Sequence, residues 1–236
     1  MNAIPLALVG MGRMGRALAE LAPDRGFLVV ARLDRAQPIT RGSLAGAAVA
    51  IEFTAPGAVA ANVLACASAG CPVVVGTTGW YAELPMVRAE VERAGSAMLY
   101  APNFSVGVAI FDRVVAEAAR LFAGASSFDA HLVETHHTAK KDAPSGTAAA
   151  LSRTAEAASG RPLPITSVRV GAVPGTHEVV FDAPFEQVRL VHEARDRRVF
   201  AEGALAAARW LVGRRGTFTM QDVLVMPATT SHSGQP

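Results

Sequence analysis

The stretch Leu6-Ala7-Leu8-Val9-Gly10-Met11-Gly12-Arg13-Met14-Gly15 decides how the rest of the chain is read. Four apolar residues predict a short buried strand, and the glycines after it stand in the Gly-x-Gly-x-x-Gly pattern where the first helix opens. Gly10 permits the tight turn, Gly12 lets a pyrophosphate approach the backbone, and Gly15 lets helix and strand pack closely. The helix N-terminus then turns its unpaired amides toward the phosphates. Taken alone, the pattern also describes an ordinary glycine turn. Asp34, 24 residues beyond Gly10 at the end of the second apolar run, strengthens the dinucleotide reading, because a carboxylate there accepts hydrogen bonds from ribose hydroxyls. Arg35 suits a 2′-phosphate, an adenine face or a solvated loop, so the pair Asp34-Arg35 is compatible with both NADH and NADPH.

Working outward, apolar runs at residues 6–9, 27–33, 49–53, 73–75 and 97–100 are followed by Gly, Pro, Asp or Thr, and most then by an Ala-rich helical stretch. That rhythm predicts a parallel sheet with helices on both faces, which binds ligands at the carboxyl ends of its strands. The residues at those ends are small or hydroxylated: Gly76-Thr77-Thr78-Gly79 after the fourth run and Ala101-Pro102-Asn103-Phe104 after the fifth. Both suit a nicotinamide riboside passing close to the backbone. Beyond Asn103 the pattern changes to a long helix over 104–122, a second over 145–159, and strands at 128–135, 166–171, 176–182 and 187–194. Densely spaced strands packed on helices predict a second, α+β domain with an antiparallel or mixed sheet. A helix over 200–212 and the apolar run 223–225 follow, and a polar tail over 227–236 is expected to fray.

Composition narrows the function. Half the residues are hydrophobic (51%) and 18% are charged, which excludes a disordered chain. With 22 basic against 20 acidic residues, no field of one sign argues for nucleic acid or a membrane surface. A small-molecule partner is expected. The only cysteines, Cys66 and Cys71, make no disulfide framework and read as packing residues. The N-terminus has no basic residue before Arg13 and no apolar run is long enough for a membrane span, so a cytoplasmic location is expected.

Of the 22 basic residues only Lys140 and Lys141 are lysines. A lysine kept in a chain that otherwise uses arginine draws attention to what guanidinium does not do, which is to release a proton near neutral pH; chance is the plain alternative. Both lysines lie in the densest cluster of chemistry, Glu134-Thr135-His136-His137-Thr138-Ala139-Lys140-Lys141-Asp142-Ala143-Pro144-Ser145-Gly146-Thr147. The cluster runs from a strand end into a helix start, where Ser145, Gly146 and Thr147 offer hydroxyls and amides to a carboxylate. His and Lys beside them supply exchangeable protons. Three other readings stand beside this one: structural histidines, a metal held by His136, His137 and Glu134, and a simple cap by Ser145. The metal reading has neither His-Glu-x-x-His spacing nor a cysteine set behind it, so no metal is expected.

The cluster resembles the signature of the 4-hydroxy-tetrahydrodipicolinate (dihydrodipicolinate) reductase family, Glu-x-His-His-x-x-Lys-x-Asp-x-Pro-Ser-Gly-Thr, at every defined position. The resemblance continues in family order through residues 10–16, Glu52-Phe53-Thr54, Gly76-Thr77-Thr78-Gly79, Pro102-Asn103-Phe104-Ser105, Gly175-Thr176-His177 and Phe200-Ala201-Glu202-Gly203-Ala204. It implies an NAD(P)H-dependent reduction on an α/β, Rossmann-type domain over 1–105, completed by 198–236. A smaller α+β domain over 106–197 would bind substrate and build a homotetramer through its sheet. His136 would be the acid/base and Lys140 the proton donor, with His137, Ser145, Gly146 and Thr147 holding substrate carboxylates. The dinucleotide would contact Gly10, Met11, Gly12, Arg13, Met14, Gly15, Asp34, Arg35, Gly76, Thr77, Thr78, Ala101, Pro102, Asn103 and Phe104. The chain departs from the family with Asp34 where Glu is common, Asp196 before Arg197 where Ser is frequent, Phe218 for a usual Tyr, and a short loop after Arg35.

Overall fold

A computed structural model describes residues 2–196 and 198–224. Arg197, Val225 and the tail over 227–236 lie outside the described residues. The first sheet is built from β1 (Ile4–Val9), β2 (Phe27–Leu33), β3 (Val49–Glu52), β4 (Val73–Val75), β5 (Ala97–Tyr100) and β10 (Gly216–Phe218). Its order is β10-β5-β4-β3-β1-β2, with every pair parallel. The central strands are buried on both faces, which is why they read as unbroken apolar runs and not as alternation. Successive side chains go to opposite sides. Leu6, Leu8, Ile51, Val74 and Leu99 pack under α1 (Arg13–Leu21) and α6 (Arg198–Leu211). Ala7, Val9, Ala50, Val73, Val75 and Met98 pack under α2 (Val59–Ser68) and α3 (Leu84–Arg93).

Two features differ from the expectation. The connection from β2 to β3 contains turns and no helix. Edge strand β10 was not anticipated, because its three residues are only half-buried and carry no alternating signal. Val223, the first residue of the final apolar run, closes a short helix, α7 (Met220–Val223), that rests against α4 (Val106–Phe122) and α6.

The second sheet runs β7-β6-β8-β9, comprising β6 (Asp129–His136), β7 (Ile165–Arg169), β8 (Thr176–Ala183) and β9 (Glu186–Glu193). It is mixed, with β6 and β7 parallel across the connection through α5 (Gly146–Ser159) and the other pairs antiparallel. Leu132, Val179 and Phe181 face α4 and α5 through Phe111, Val115 and Leu151. Among the described residues no helix is long and apolar enough to cross a membrane. Both cysteines are buried and free, and burial raises the Cys71 thiol to about 11, so both act as packing groups.

Candidate active site

Strand order reverses beside β1: β2 lies on one side of it and β3 on the other, with β4 and β5 beyond. Ligands of open α/β sheets bind outside the carboxyl ends of the strands at such a reversal. A cleft of about 390 Å³ opens there, lined by Gly12, Arg13 and Met14 after β1, by Phe53, Thr54 and Pro56 after β3, and by Gly76, Thr77 and Thr78 after β4.

The glycines fit a dinucleotide. Gly10 has φ +96°, and a methyl added to it would stand 2.1 Å from the Phe53 carbonyl oxygen. A methyl on Gly15 would stand 2.0 Å from the Gly10 carbonyl oxygen, so α1 packs directly on the turn. At Gly12 an added methyl would meet nothing within 4 Å. The open space over Gly12 leaves its backbone accessible to a phosphate. Asp34 is exposed just past β2, and its Oδ1 accepts the Ala36 amide at 2.9 Å, which leaves Oδ2 for a ribose hydroxyl. Arg35 is exposed beside it.

Other expected contacts have structural duties. The Thr77 hydroxyl accepts the Thr54 amide at 2.7 Å and the Thr77 carbonyl accepts the Trp80 indole N–H, tying two cleft loops together. Behind them Glu52 is fully buried, and burial pushes its carboxyl above the usual range despite hydrogen bonds from Thr54, Thr77 and Asn62. The Phe104 side chain is core, 2% exposed and edge-on to Phe53, so this residue offers only its backbone at the strand end, the part expected to lie near a nicotinamide riboside. Asn103 is a strut. Its Oδ1 accepts the Ser105 amide at 2.8 Å and its Nδ2 donates to Thr147 Oγ1 at 3.0 Å, joining the dinucleotide cleft to α5 of the other sheet.

That strut brings the cleft to the histidine cluster. Glu134 and His136, two apart on β6, share the inner face of the second sheet. Glu134 Oε2 contacts His136 Nδ1, while Glu134 Oε1 accepts Arg169 Nη2 at 2.7 Å and the Ser145 amide at 3.3 Å. Burial alone would raise the Glu134 carboxyl. Hydrogen bonds from Arg169 and Ser167, with the nearby charges, outweigh it and hold the group at about 2. His136 is pushed the other way, below the ordinary imidazole value, chiefly by burial and against the pull of Glu134. Ser145 caps α5: its hydroxyl accepts the Ala148 amide at 3.1 Å and lies 3.3 Å from His177 Nε2. The amides of Gly146 and Thr147 have no intrahelical partner, and a methyl added to Gly146 would meet nothing within 4 Å. Capping and an anion-accepting helix end therefore coexist. Lys140 Nζ lies 2.8 Å from Asp142 at the rim, Lys141 is exposed, and the His137 amide donates to the Val173 carbonyl at 2.8 Å.

Sequence reasoning missed Arg169, which has no local motif, and the positions of His177 and His192. His177 is 4% exposed, edge-on to His136 with ring centres 5.3 Å apart and 6.3 Å from His192. Glu134, His136 and His177, not His137, offer ligand atoms within 4.8 Å of one another. The Arg169 guanidinium occupies one oxygen of that carboxylate, Oε1. A separate cavity of about 370 Å³, lined by Phe122, Phe128, Arg161 and Phe181, lies away from these residues.

Burial holds His177 at about 4, assisted by His136, His192 and Lys140 and opposed by Glu134. A depressed histidine makes the unfolded chain bind more protons between about pH 6.5 and 4, so stability is complete above that window and is lost as pH falls through it. The loss amounts to roughly 3 kcal/mol for this residue. Calorimetry from pH 7 to 4 should show a steep fall in Tm, and His177→Gln should flatten the slope; an unchanged slope would place the acid sensitivity elsewhere.

Fold and cleft together define a class, a dinucleotide-dependent oxidoreductase, with a Glu134–His136–Arg169 cluster on its second sheet. Residues 4–104 match the family model described as dihydrodipicolinate reductase, N-terminus, and residues 107–224 match dihydrodipicolinate reductase, C-terminus. The chain belongs to the dihydrodipicolinate reductase family. It is similar to the 4-hydroxy-tetrahydrodipicolinate reductase of Christiangramia forsetii, 35% identical over 233 residues that cover 93% of this chain and 97% of the relative. That of Stenotrophomonas maltophilia is 39% identical over 243 residues, covering 95% and 100%. The solved dipicolinate-bound dihydrodipicolinate reductase of a Paenisporosarcina species shares the fold, with a TM-score of 0.79 at 21% identity over 94% of this chain and 100% of that one. An amine dehydrogenase from Mycobacterium smegmatis also superposes, with a TM-score of 0.56 at 10% identity over 93% and 95%. Since the fold carries more than one chemistry, activity is argued from the site.

Proposed function

We propose that this chain reduces 4-hydroxy-tetrahydrodipicolinate to tetrahydrodipicolinate in the diaminopimelate/lysine biosynthesis pathway, using NADH or NADPH. The observation that carries the reading is the Asn103–Thr147 bridge, which sets the Glu134–Thr147 cluster against the dinucleotide cleft. The nicotinamide, when bound, supplies the hydride. Gly10 to Gly15, Asp34, Arg35, Gly76 to Thr78 and the backbone over Ala101 to Phe104 hold the dinucleotide. Lys140 gives the substrate its proton and His136 serves as acid/base. His137 and the Gly146 and Thr147 amides grip the carboxylates, with the Ser145 hydroxyl hydrogen shared between His177 and the substrate.

Residues 1–105 with 198–236 make the dinucleotide domain and 106–197 the substrate and oligomerisation domain. The outer face of the second sheet presents Val133, Val168, Val180 and Val191 interspersed with the Glu178–Arg189 ion pair, a mixed surface suited to pairing with a second copy within a homotetramer. The enzyme works in the cytoplasm. Consumption of NADH or NADPH with substrate generated in situ from pyruvate and aspartate semialdehyde tests the reading. Turnover inhibited competitively by pyridine-2,6-dicarboxylate is expected, and no turnover with either dinucleotide would overturn it.

On cofactor choice, Asp34 favours a free ribose and Arg35 its phosphate, so the two dinucleotides should bind within about tenfold, or about 1.4 kcal/mol, of each other. Arg35→Ala should weaken NADPH by about tenfold and leave NADH unchanged. Isothermal titration with equal losses for both would place Arg35 away from the 2′-phosphate.

A further inference from the structure

We propose that Glu134 is a positioning residue that fixes His136 in the Nδ1–H tautomer, so that protons enter and leave this ring only at Nε2. The inference rests on the reading of His136 as the acid/base. Its geometry does not: Glu134 is fully buried, its Oε1 accepts Arg169 Nη2 and the Ser145 amide, and its Oε2 stands in contact with His136 Nδ1, neither of these two atoms having a hydrogen bond to any other group. An ionised carboxylate only accepts hydrogen bonds, so the nitrogen it contacts must carry the hydrogen. In the neutral ring Nε2 is then bare, the reverse of the form that a free imidazole in water prefers.

Arg169 completes the device. It stands opposite His136 in the parallel register of β6 and β7 and also donates to the Asp142 carbonyl, which fastens the carboxylate and the loop that carries Lys140. The groups facing His136 are Glu134 on its own strand, Arg169 from β7, His177 from β8, with His192 of β9 behind it, and Lys140 from the following loop. Lys140 and Arg169 favour the neutral ring and Glu134 favours the imidazolium, so Glu134 offsets the charge when Nε2 takes up a proton. Nε2 itself lies 2.9 Å from where a side chain on Gly175 would begin, so glycine there leaves that nitrogen room.

The test is nitrogen-15 NMR of the histidines in the ligand-free full chain, followed through pH, with steady-state kinetics on Glu134→Gln and Glu134→Asp. Wild-type His136 should show a protonated Nδ1 and a bare Nε2. Glu134→Gln should lower its titration midpoint, reduce kcat about 10- to 100-fold with an unchanged KM for NADH, and move the kcat–pH profile with the midpoint. Glu134→Asp should retain the tautomer and recover part of kcat. A protonated Nε2 in the wild-type ring overturns the proposal, and so does a folded Glu134→Gln protein with unaltered tautomer and midpoint. The tautomer is read without turnover, so an inactive wild-type protein with the expected tautomer would refute the functional reading and leave this one standing.

Discussion

Lys140→Arg should lower kcat by roughly 10²–10⁴ while leaving substrate binding largely intact, the loss typical when general-acid help disappears. Lys140 is partly buried at the rim of the cluster with its ammonium on Asp142. Arginine keeps both the charge and that ion pair, so the local field survives the change. What it removes is the ability to give up the proton, because a guanidinium stays protonated at any working pH. Lys141→Arg is the control, since the neighbouring side chain is exposed and has no assigned role. If the two lysines were an accident of composition, both replacements would be mild. Steady-state kinetics at saturating dinucleotide decides the matter, and a near-wild-type kcat in Lys140→Arg removes the residue from the mechanism.

Gly203→Ala should destabilise the protein by about 3 kcal/mol, and therefore lower Tm by roughly 6–12 °C for a chain of this size. The added methyl would sit 1.6 Å from the Phe104 carbonyl oxygen and 2.7 Å from its carbon. Both are backbone atoms, so no side-chain rotation makes room. Either α6 or the segment over residues 101–105 has to shift. That segment holds the Asn103 strut and leads into α4, whose cap is the Ser105 hydroxyl on the Val108 amide, so KM for NADH should rise along with the loss of stability. Gly57→Ala is the comparison, because a methyl there meets nothing within 4 Å. Calorimetry would refute the argument if Gly203→Ala melted within about 2 °C of wild type.

Much of the architecture was legible in the sequence for local reasons. Apolar runs followed by Gly, Pro, Asp or Thr marked five of the six parallel strands, because strands covered on both faces leave no room for alternation. The glycines of residues 10–15 were readable because a tight turn and a close helix approach demand them whatever surrounds them. Strand β10 was not legible: three half-buried edge residues carry no periodic signal. Phe104 read as a ligand contact because its neighbours lie at a strand end, and nothing local showed its ring turning into the core.

The sequence by itself determined the two-sheet plan, the dinucleotide turn and the segment that holds the acid groups, since each rests on residues within one or two turns of chain. Tertiary structure decided which groups work together. Arg169 reaches Glu134, and His177 and His192 line up behind His136, only because β7, β8 and β9 pair with β6 in one register. A slip of one residue on β6 would carry Glu134 and His136 to the opposite face, since side chains alternate along a strand. Asn103 meets Thr147, and Gly203 meets Phe104, across separations that no local propensity encodes. The packed cores beneath α4, α5 and α6 set those meetings, because dense interiors leave each element one seat and so place distant side chains together.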